Sequence, residues 1–247
     1  MPSLLPKSPF PVVGRLAKCW LFTFREPAET AAPLLPEPLE LIVRDGFAFW
    51  NVVVCELEAM RPAGFPAGSG MKCRQVGYRL YARWRPNGMP IDGLHFLRSE
   101  CDSGAMTLAG NALTDFKFHH AKINFDESEE RTRIGVDTKG ARVDATIDRQ
   151  TPPALTAGSP FDSLYEAKAV LAYKPAALAP VDKDRVRVLS ITRDETAWTS
   201  QIVHTPETHF EYLANRPKIT PEICYEVAPI TYRWNAARTI RRMRPEA

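Results

Sequence analysis

Long apolar segments and paired cysteine spacings are both missing from the sequence. Stretches without a charged residue reach only about 12 residues, as in Ser103–Thr114, whereas a membrane-spanning helix needs about 20. The N-terminal residues include several prolines and lack the apolar core of a signal peptide. The five cysteines are odd in number and show no C-x-x-C spacing, which indicates reduced thiols rather than a disulfide framework. These features predict a cytoplasmic protein with no membrane partner.

A strong excess of either charge is also missing. The chain has 32 Lys and Arg against 29 Asp and Glu, a net charge of +3, and its basic residues are scattered. We therefore expect no nucleic-acid partner. Phosphate-binding, nucleophile-elbow and zinc-protease motifs are lacking as well. His119 and His120 are adjacent, so on a strand they point to opposite faces and cannot share a metal ion. The sequence predicts no metal site and no cofactor.

Glycine is scarce, with 13 residues, while proline is abundant, with 22, which favours rigid turns and few long helices. Alternation of apolar and polar residues predicts many strands. The predicted strands are Cys19–Phe24, Phe47–Leu57, Arg74–Trp84, Ile91–Cys101, Phe116–Phe125, Arg131–Val136, Ala141–Ile147, Arg185–Arg193, Trp198–His204 and Glu226–Asn235. The predicted short helices are Ser103–Leu113, with Ser103 as N-cap, Phe161–Leu171 and Pro206–Asn215.

The turns give the fold class. Asp45-Gly46 between two apolar runs is a strong hairpin signal, and Pro86-Asn87-Gly88 marks a second turn. Strands joined in hairpins with a few short helices indicate a mainly β (α+β) fold, and closing the sheet into an antiparallel β-barrel removes exposed edges. We expect a single domain over residues 1–247, with an ordered core at about 15–235, a basic C-terminal tail at 236–247, and an oligomer as an option.

Several motifs carry a resemblance to a known family. The stretch 93–121 reads GLHFLRSECDSGAMTLAGNALTDFKFHHA. The supporting motifs are Leu35-Pro36, Leu39, Asp45-Gly46, Phe49-Trp50, and Arg61-Pro62 with Gly64 and Pro66. In this order they resemble the YqjF-like family of uncharacterised bacterial proteins, over roughly residues 15–235. That family is distantly similar to acetoacetate decarboxylase, which implies a β-barrel of that type with an enclosed pocket.

The resemblance also bears on chemistry. In the decarboxylases, a lysine of a Lys-Lys pair forms a Schiff base with the substrate. The corresponding positions here fall on Phe118 and His119, so the resemblance implies that this nucleophile is lost, unless Lys117 replaces it one residue early. A shift of one residue turns a strand side chain to the other face.

Charged residues on two predicted strands form the candidate site. Arg98 and Glu100 share one strand face, and Lys117 and His119 share a face of the next strand. If these strands are neighbours, the four side chains converge as a ligand-binding site, with Lys117, His119 and Glu100 as candidate catalytic residues. An arginine fork fits a carboxylate, and a lysine near other cations can act as a nucleophile. The alternative is an exposed, salt-bridged face.

Three functions stay open from the sequence. The first is a barrel that binds a small acidic or carbonyl compound in its interior without Schiff-base chemistry. The second is a lyase-, decarboxylase- or hydrolase-type enzyme that acts on a small keto acid. The third is a non-catalytic interaction protein whose barrel is filled by side chains. The sequence does not decide whether the protein is an enzyme.

Overall fold

The computed structural model describes residues 7–172 and 174–242 of the chain. Strands account for 54% of the residues and helices for 13%, which confirms the mainly β prediction. The strands are β1 (Val12–Pro27), β2 (Glu40–Leu41), β3 (Val43–Arg44), β4 (Phe47–Pro62), β5 (Met71–Trp84), β6 (Ile91–Cys101), β7 (Phe118–His120), β8 (Lys122–Glu127), β9 (Arg131–Asp137), β10 (Val143–Asp148), β11 (Ala176–Asp182), β12 (Arg185–Arg193), β13 (Ser200–Phe210), β14 (Thr220–Val227), β15 (Ile230–Trp234) and β16 (Arg238–Arg241). The helices are α1 (Ala28–Ala31), α2 (Gly104–Leu113), α3 (Leu164–Val170) and α4 (Glu211–Ala214), with 3-10 turns at Ala32–Leu34 and Ala67–Ser69.

Seven strands close into a ring. The order runs from β1 through β4, β5, β6, β11, β12 and β15, and β15 pairs with β1 again. The length of β1 makes this closure possible, because its first part pairs with β15 and its second part with β14. Within the described residues, β6 pairs in parallel with β11 and β7, so the sheet is mixed and the antiparallel pairing predicted from the sequence is only partly correct. Parallel neighbours need a crossover connection, and α2 provides it between β6 and β7.

The remaining strands form a second layer outside the ring. From β1 the sheet continues through β14, β13, β10 and β9 to β8. Side chains of β9 and β10 pack with the outward-facing side chains of β1, β4 and β5 in one apolar core, which includes Trp20, Trp50, Tyr78 and Ile134. Tyr78 and Trp84 are fully buried. The inner face of the ring builds a separate apolar cluster, so β4 is covered on both sides.

Local signals in the sequence locate several elements correctly. Asp45 and Gly46 form a two-residue turn between β3 and β4, and both have positive φ angles, 48° and 80°. The Ser103 hydroxyl accepts a hydrogen bond from the Met106 backbone N–H at 3.3 Å and caps α2. In the hairpin of β9 and β10, buried and exposed residues alternate along β9, as expected for a strand with one solvated face.

Three segments differ from prediction. The strand expected at 116–125 is interrupted, because Lys117 has a φ of 55° and β7 begins only at Phe118. The helix expected at 206–215 is mostly strand, because β13 pairs with β10 as far as Phe210. The basic C-terminal residues 238–241 form the exposed strand β16 on the edge of β12, and residues 243–247 of the predicted tail lie outside the described residues. In the second and third segments, pairing with a neighbouring strand overrides the local pattern.

All five cysteines are free thiols in buried positions, as their spacing indicates. None of the helices in the described chain is long and apolar enough to cross a membrane.

Candidate functional site

The ring encloses a cavity of about 90 Å³, which we call the inner cavity. All seven ring strands contribute to its wall, which is mostly apolar. Its polar side chains include Gln75, Arg79 and Ser99. Since a water molecule occupies about 30 Å³ in the liquid, this space suits a few waters or one small organic molecule.

Arg79 is the charged residue of the inner cavity, and it is only 5% exposed. Its guanidinium donates to the side-chain oxygen of Asn51 and, at 3.4 Å, to the Asn51 backbone oxygen. It also lies over the Phe96 ring, 5.4 Å from the centroid. No carboxylate forms an ion pair with Arg79 in the described part of the chain. Because an unpaired buried charge is costly, this side chain is well suited to hold an anion.

A chain of hydrogen bonds fixes Asn51 and therefore the Arg79 guanidinium. The Asn51 amide donates to the Tyr81 hydroxyl at 2.8 Å, and that hydroxyl donates to the Leu171 backbone oxygen at 2.5 Å. The Tyr225 hydroxyl donates to the same oxygen at 3.1 Å. Burial raises the pKa of both tyrosines, so they stay protonated as donors. The guanidinium is thus preorganised by rigid strands.

Ser99 adds a second polar group to the wall and is 2% exposed. Among the residues described, its hydroxyl has no hydrogen-bond partner. A buried hydroxyl without a partner costs about 1–3 kcal/mol, so a ligand oxygen that bonds to it gains affinity. Gly77 keeps this part of the wall open, since a Cβ there would lie 3.1 Å from Val53 and 3.9 Å from the Ser99 hydroxyl.

Three of the residues predicted from the sequence lie near one another, and two of them, Arg98 and Glu100, form an ion pair. Arg98 donates to Glu100 at 2.5 Å, and its other end donates to the Lys139 backbone oxygen at 2.8 Å. Glu100 is fully buried, and this desolvation raises the pKa of its carboxyl although Arg98 acts in the opposite direction. Neither side chain lies in the wall of the inner cavity. Both face the loop between β9 and β10.

Lys117 and His119 are exposed, and the structure separates them. His119 lies opposite Glu100 in the β6–β7 register and is near enough to lower the pKa of that carboxyl. Lys117 precedes β7 and lines a different cavity. The predicted convergence therefore brings together Arg98, Glu100 and His119, whereas the turned backbone at Lys117 carries its side chain away.

A second cavity of about 410 Å³ lies beside the inner cavity, and we call it the outer cleft. Its basic side chains are Lys7, Lys117 and Arg187, and Asp115 pairs with Arg187 at 2.5 Å. His95, in the same wall, has a pKa lowered by burial and contacts the Leu178 backbone oxygen through Nδ1 at 2.9 Å. The described residues contain no group of three or more His, Cys, Asp or Glu side chains that could hold a metal ion.

The strand ring and its second layer have the fold of acetoacetate-decarboxylase-like proteins. One such enzyme, from Sphingomonas wittichii RW1, matches with a TM-score of 0.63 and 10% identity over 94% of each chain. The enduracididine biosynthesis enzyme MppR, complexed with pyruvate, matches with a TM-score of 0.60 and 12% identity over 96% of this chain and 91% of its own. Acetoacetate decarboxylase from Legionella pneumophila matches with a TM-score of 0.57 and 12% identity over 92% of this chain and 86% of its own.

At these identities the structural likeness shows the fold alone. The family is shown by sequence: the chain belongs to the DUF2071 family, described as an uncharacterized conserved protein, whose model matches residues 15–216. This match confirms the family resemblance seen in the motifs. A comparison with curated proteins finds no match.

Proposed function

We propose that the protein binds a small organic acid in the inner cavity, with the carboxylate of the acid on Arg79. The observation that carries the proposal is a buried arginine without a carboxylate partner among the described residues, held in place by Asn51. A guanidinium pairs with a carboxylate through two parallel hydrogen bonds. Ser99 and Gln75 offer hydrogen bonds to a carbonyl oxygen, and the apolar wall accepts a short carbon skeleton.

The fold supports a 2-oxo acid as the first ligand to test. A protein with this fold, MppR, is complexed with pyruvate. In this proposal the seven-stranded ring acts as a β-barrel whose interior is the binding site, as in other barrels that hold one small ligand.

Binding without a Schiff base is part of the proposal. No lysine is found in the wall of the inner cavity as far as the chain is described, and Lys117 lies in the outer cleft. The carboxylate is then held by noncovalent contacts, and the carbonyl group of the acid is not attacked by an amine.

Calorimetric titration of the whole protein with pyruvate tests this function, with pyruvamide as the uncharged analogue. We expect saturable binding of pyruvate, much weaker binding of pyruvamide, and a loss of at least about tenfold in pyruvate affinity in Arg79→Met, since hydrogen bonds to charged groups contribute about 1.5–3 kcal/mol. Arg83→Met is the matched control, because Arg83 lies on the same strand and pairs with Asp92 outside the cavity.

Two results would overturn the proposal. Pyruvate binding that is the same in the wild type and in Arg79→Met would remove Arg79 from the site. Absence of saturable binding for pyruvate, acetoacetate, glyoxylate, lactate and acetate alike would remove the function.

A further inference from the structure

The inner cavity and the outer cleft meet at a shared wall. Phe96, Phe116, Ala177 and Leu189 line both spaces. The Phe96 and Phe116 rings are stacked, with centroids 4.1 Å apart and an interplanar angle of 26°. This pair of rings is therefore part of the wall between the two spaces.

Phe116 lies on the short segment between α2 and β7. At one end, the Asn111 side chain bonds to both the backbone N–H and the backbone oxygen of Phe118, each at 2.8 Å. The Lys117 backbone oxygen accepts from the Ser99 N–H at 3.1 Å. Between these points and the end of α2, the Phe116 N–H donates to the Thr114 hydroxyl at 3.2 Å, and the Phe116 ring contacts the rings of Phe96 and Phe118. Asp115 forms an ion pair with Arg187 on β12.

We propose that Phe116 is a gate residue between the outer cleft and the inner cavity, latched by the Asp115–Arg187 ion pair, and that it decides which acids reach Arg79. The choice of acids as ligands rests on the proposed function, whereas passage through the gate does not depend on it. Three basic side chains against one carboxylate give the outer cleft a positive potential. Such a potential steers small anions towards the gate.

Cys55 makes passage through the gate measurable without a ligand. Its thiol lines the inner cavity, whereas Cys224 lies in the core outside the ring, and each residue is 4% exposed. Burial raises the pKa of Cys55 to about 12 and also raises the pKa of Cys224, so both react slowly with iodoacetamide while the protein is closed. The ratio of their alkylation rates, measured by peptide mass spectrometry, reports access to the inner cavity.

In Phe116→Ala we expect alkylation of Cys55 to accelerate on the order of tenfold, since the aromatic contact and its buried area are lost, while Cys224 keeps its rate. In Asp115→Asn we expect a smaller acceleration of Cys55, about two- to fivefold, because the ion pair is partly exposed. Phe125→Ala is the matched control. Phe125 is also half-buried and contacts a ring, Trp20 at 5.1 Å, but lies away from the inner cavity, so its loss leaves Cys55 unchanged.

An unchanged Cys55 rate in Phe116→Ala would overturn the gate. Equal acceleration of Cys55 and Cys224 in Phe116→Ala would indicate that this variant is loosened throughout. The Asp115→Asn variant is then the test, and an unchanged rate of Cys55 alkylation in it would overturn the gate. If Cys55 alkylation shows the expected changes but pyruvate does not bind, the gate is supported and only the proposed function is wrong. The converse result, Arg79-dependent pyruvate binding with no gate effect, removes only the gate.

Discussion

Arg98 and Glu100 form an ion pair that ties β6 to the loop between β9 and β10. Only 18% of the Arg98 side chain is exposed, and Glu100 is fully buried. One Glu100 carboxylate oxygen has no hydrogen-bond partner among the described residues. Desolvation outweighs the attraction of Arg98 in its effect on the pKa of Glu100, which is raised. Burial therefore disfavours the ionised form of Glu100, and the ion pair with Arg98 offsets part of this desolvation penalty.

We expect Arg98→Ala to lower the free energy of unfolding by about 3 kcal/mol at neutral pH, as for a broken buried pair. The double variant with Glu100→Ala should lose less than the sum of the two single variants, because the residues interact. Urea unfolding of all four proteins measures these values. Additive losses below about 1 kcal/mol, the range of surface pairs, would contradict this account.

The same pair predicts a pH dependence. Because the pKa of Glu100 is higher in the folded than in the unfolded protein, the folded state binds the proton more tightly. The contribution of Glu100 to stability is then most favourable below its unfolded pKa and declines as pH rises through the interval up to its folded pKa. Urea unfolding of Arg98→Ala at pH 5 and pH 8 should show the larger loss at pH 8. A loss independent of pH would mean that Glu100 does not titrate in this way.

At the scale of the element, a bulge in β6 decides which side chains enter the inner cavity. Tyr78 pairs with Arg98 and Arg79 pairs with Phe96, so Leu97 is an extra residue on β6. Phe96 lies in the wall before the bulge and Ser99 after it. In a regular strand Arg98 would share the face of Phe96. The bulge therefore exchanges a charged residue for a serine in the wall, as bulges commonly re-aim side chains.

The turn between β3 and β4 gives an element-scale prediction. Gly46 has a φ of 80°, and a Cβ added to it would meet no atom within 4 Å, so Gly46→Ala adds backbone strain without a clash. We expect it to lower the free energy of unfolding by about 1–2 kcal/mol. Gly68→Ala is the control, since its Cβ would also have free space but the residue has no positive φ. Thermal unfolding that shows equal effects for the two substitutions would contradict the turn assignment.

At the scale of the whole molecule, the ring separates two apolar regions with different roles. The outer region joins the ring to the second layer and is filled by aromatic and aliphatic side chains. The inner region contains the cavity with Arg79 and Ser99. The ring strands hold the polar groups of the cavity in place, and Phe116 lines both the inner cavity and the outer cleft.

This arrangement predicts the outcome of Schiff-base trapping. Incubation of the protein with pyruvate or acetoacetate and borohydride should leave its mass unchanged, because the described residues that line the inner cavity include no lysine and Lys117 lies in the outer cleft. Mass spectrometry of the intact protein and its peptides makes the measurement, with an acetoacetate decarboxylase treated in parallel. A stable mass increment on Lys117 would restore covalent chemistry to this site.

The sequence by itself determined the features that depend on neighbouring residues. Alternation located most strands, the Asp45-Gly46 pair placed a turn, Ser103 marked the start of α2, and the ordered motifs identified the family. Each of these signals is read within a few residues, where backbone preferences and side-chain periodicity act directly.

The tertiary structure alone decided the site. Arg79 and Gln75 lie on one face of β5, and only closure of the ring makes that face an interior. Alternation drew attention to Arg98 and Glu100, which a single extra residue in β6 turns outward. Strand pairing, bulges and ring closure depend on contacts between residues far apart in the chain, and local patterns carry no information about them.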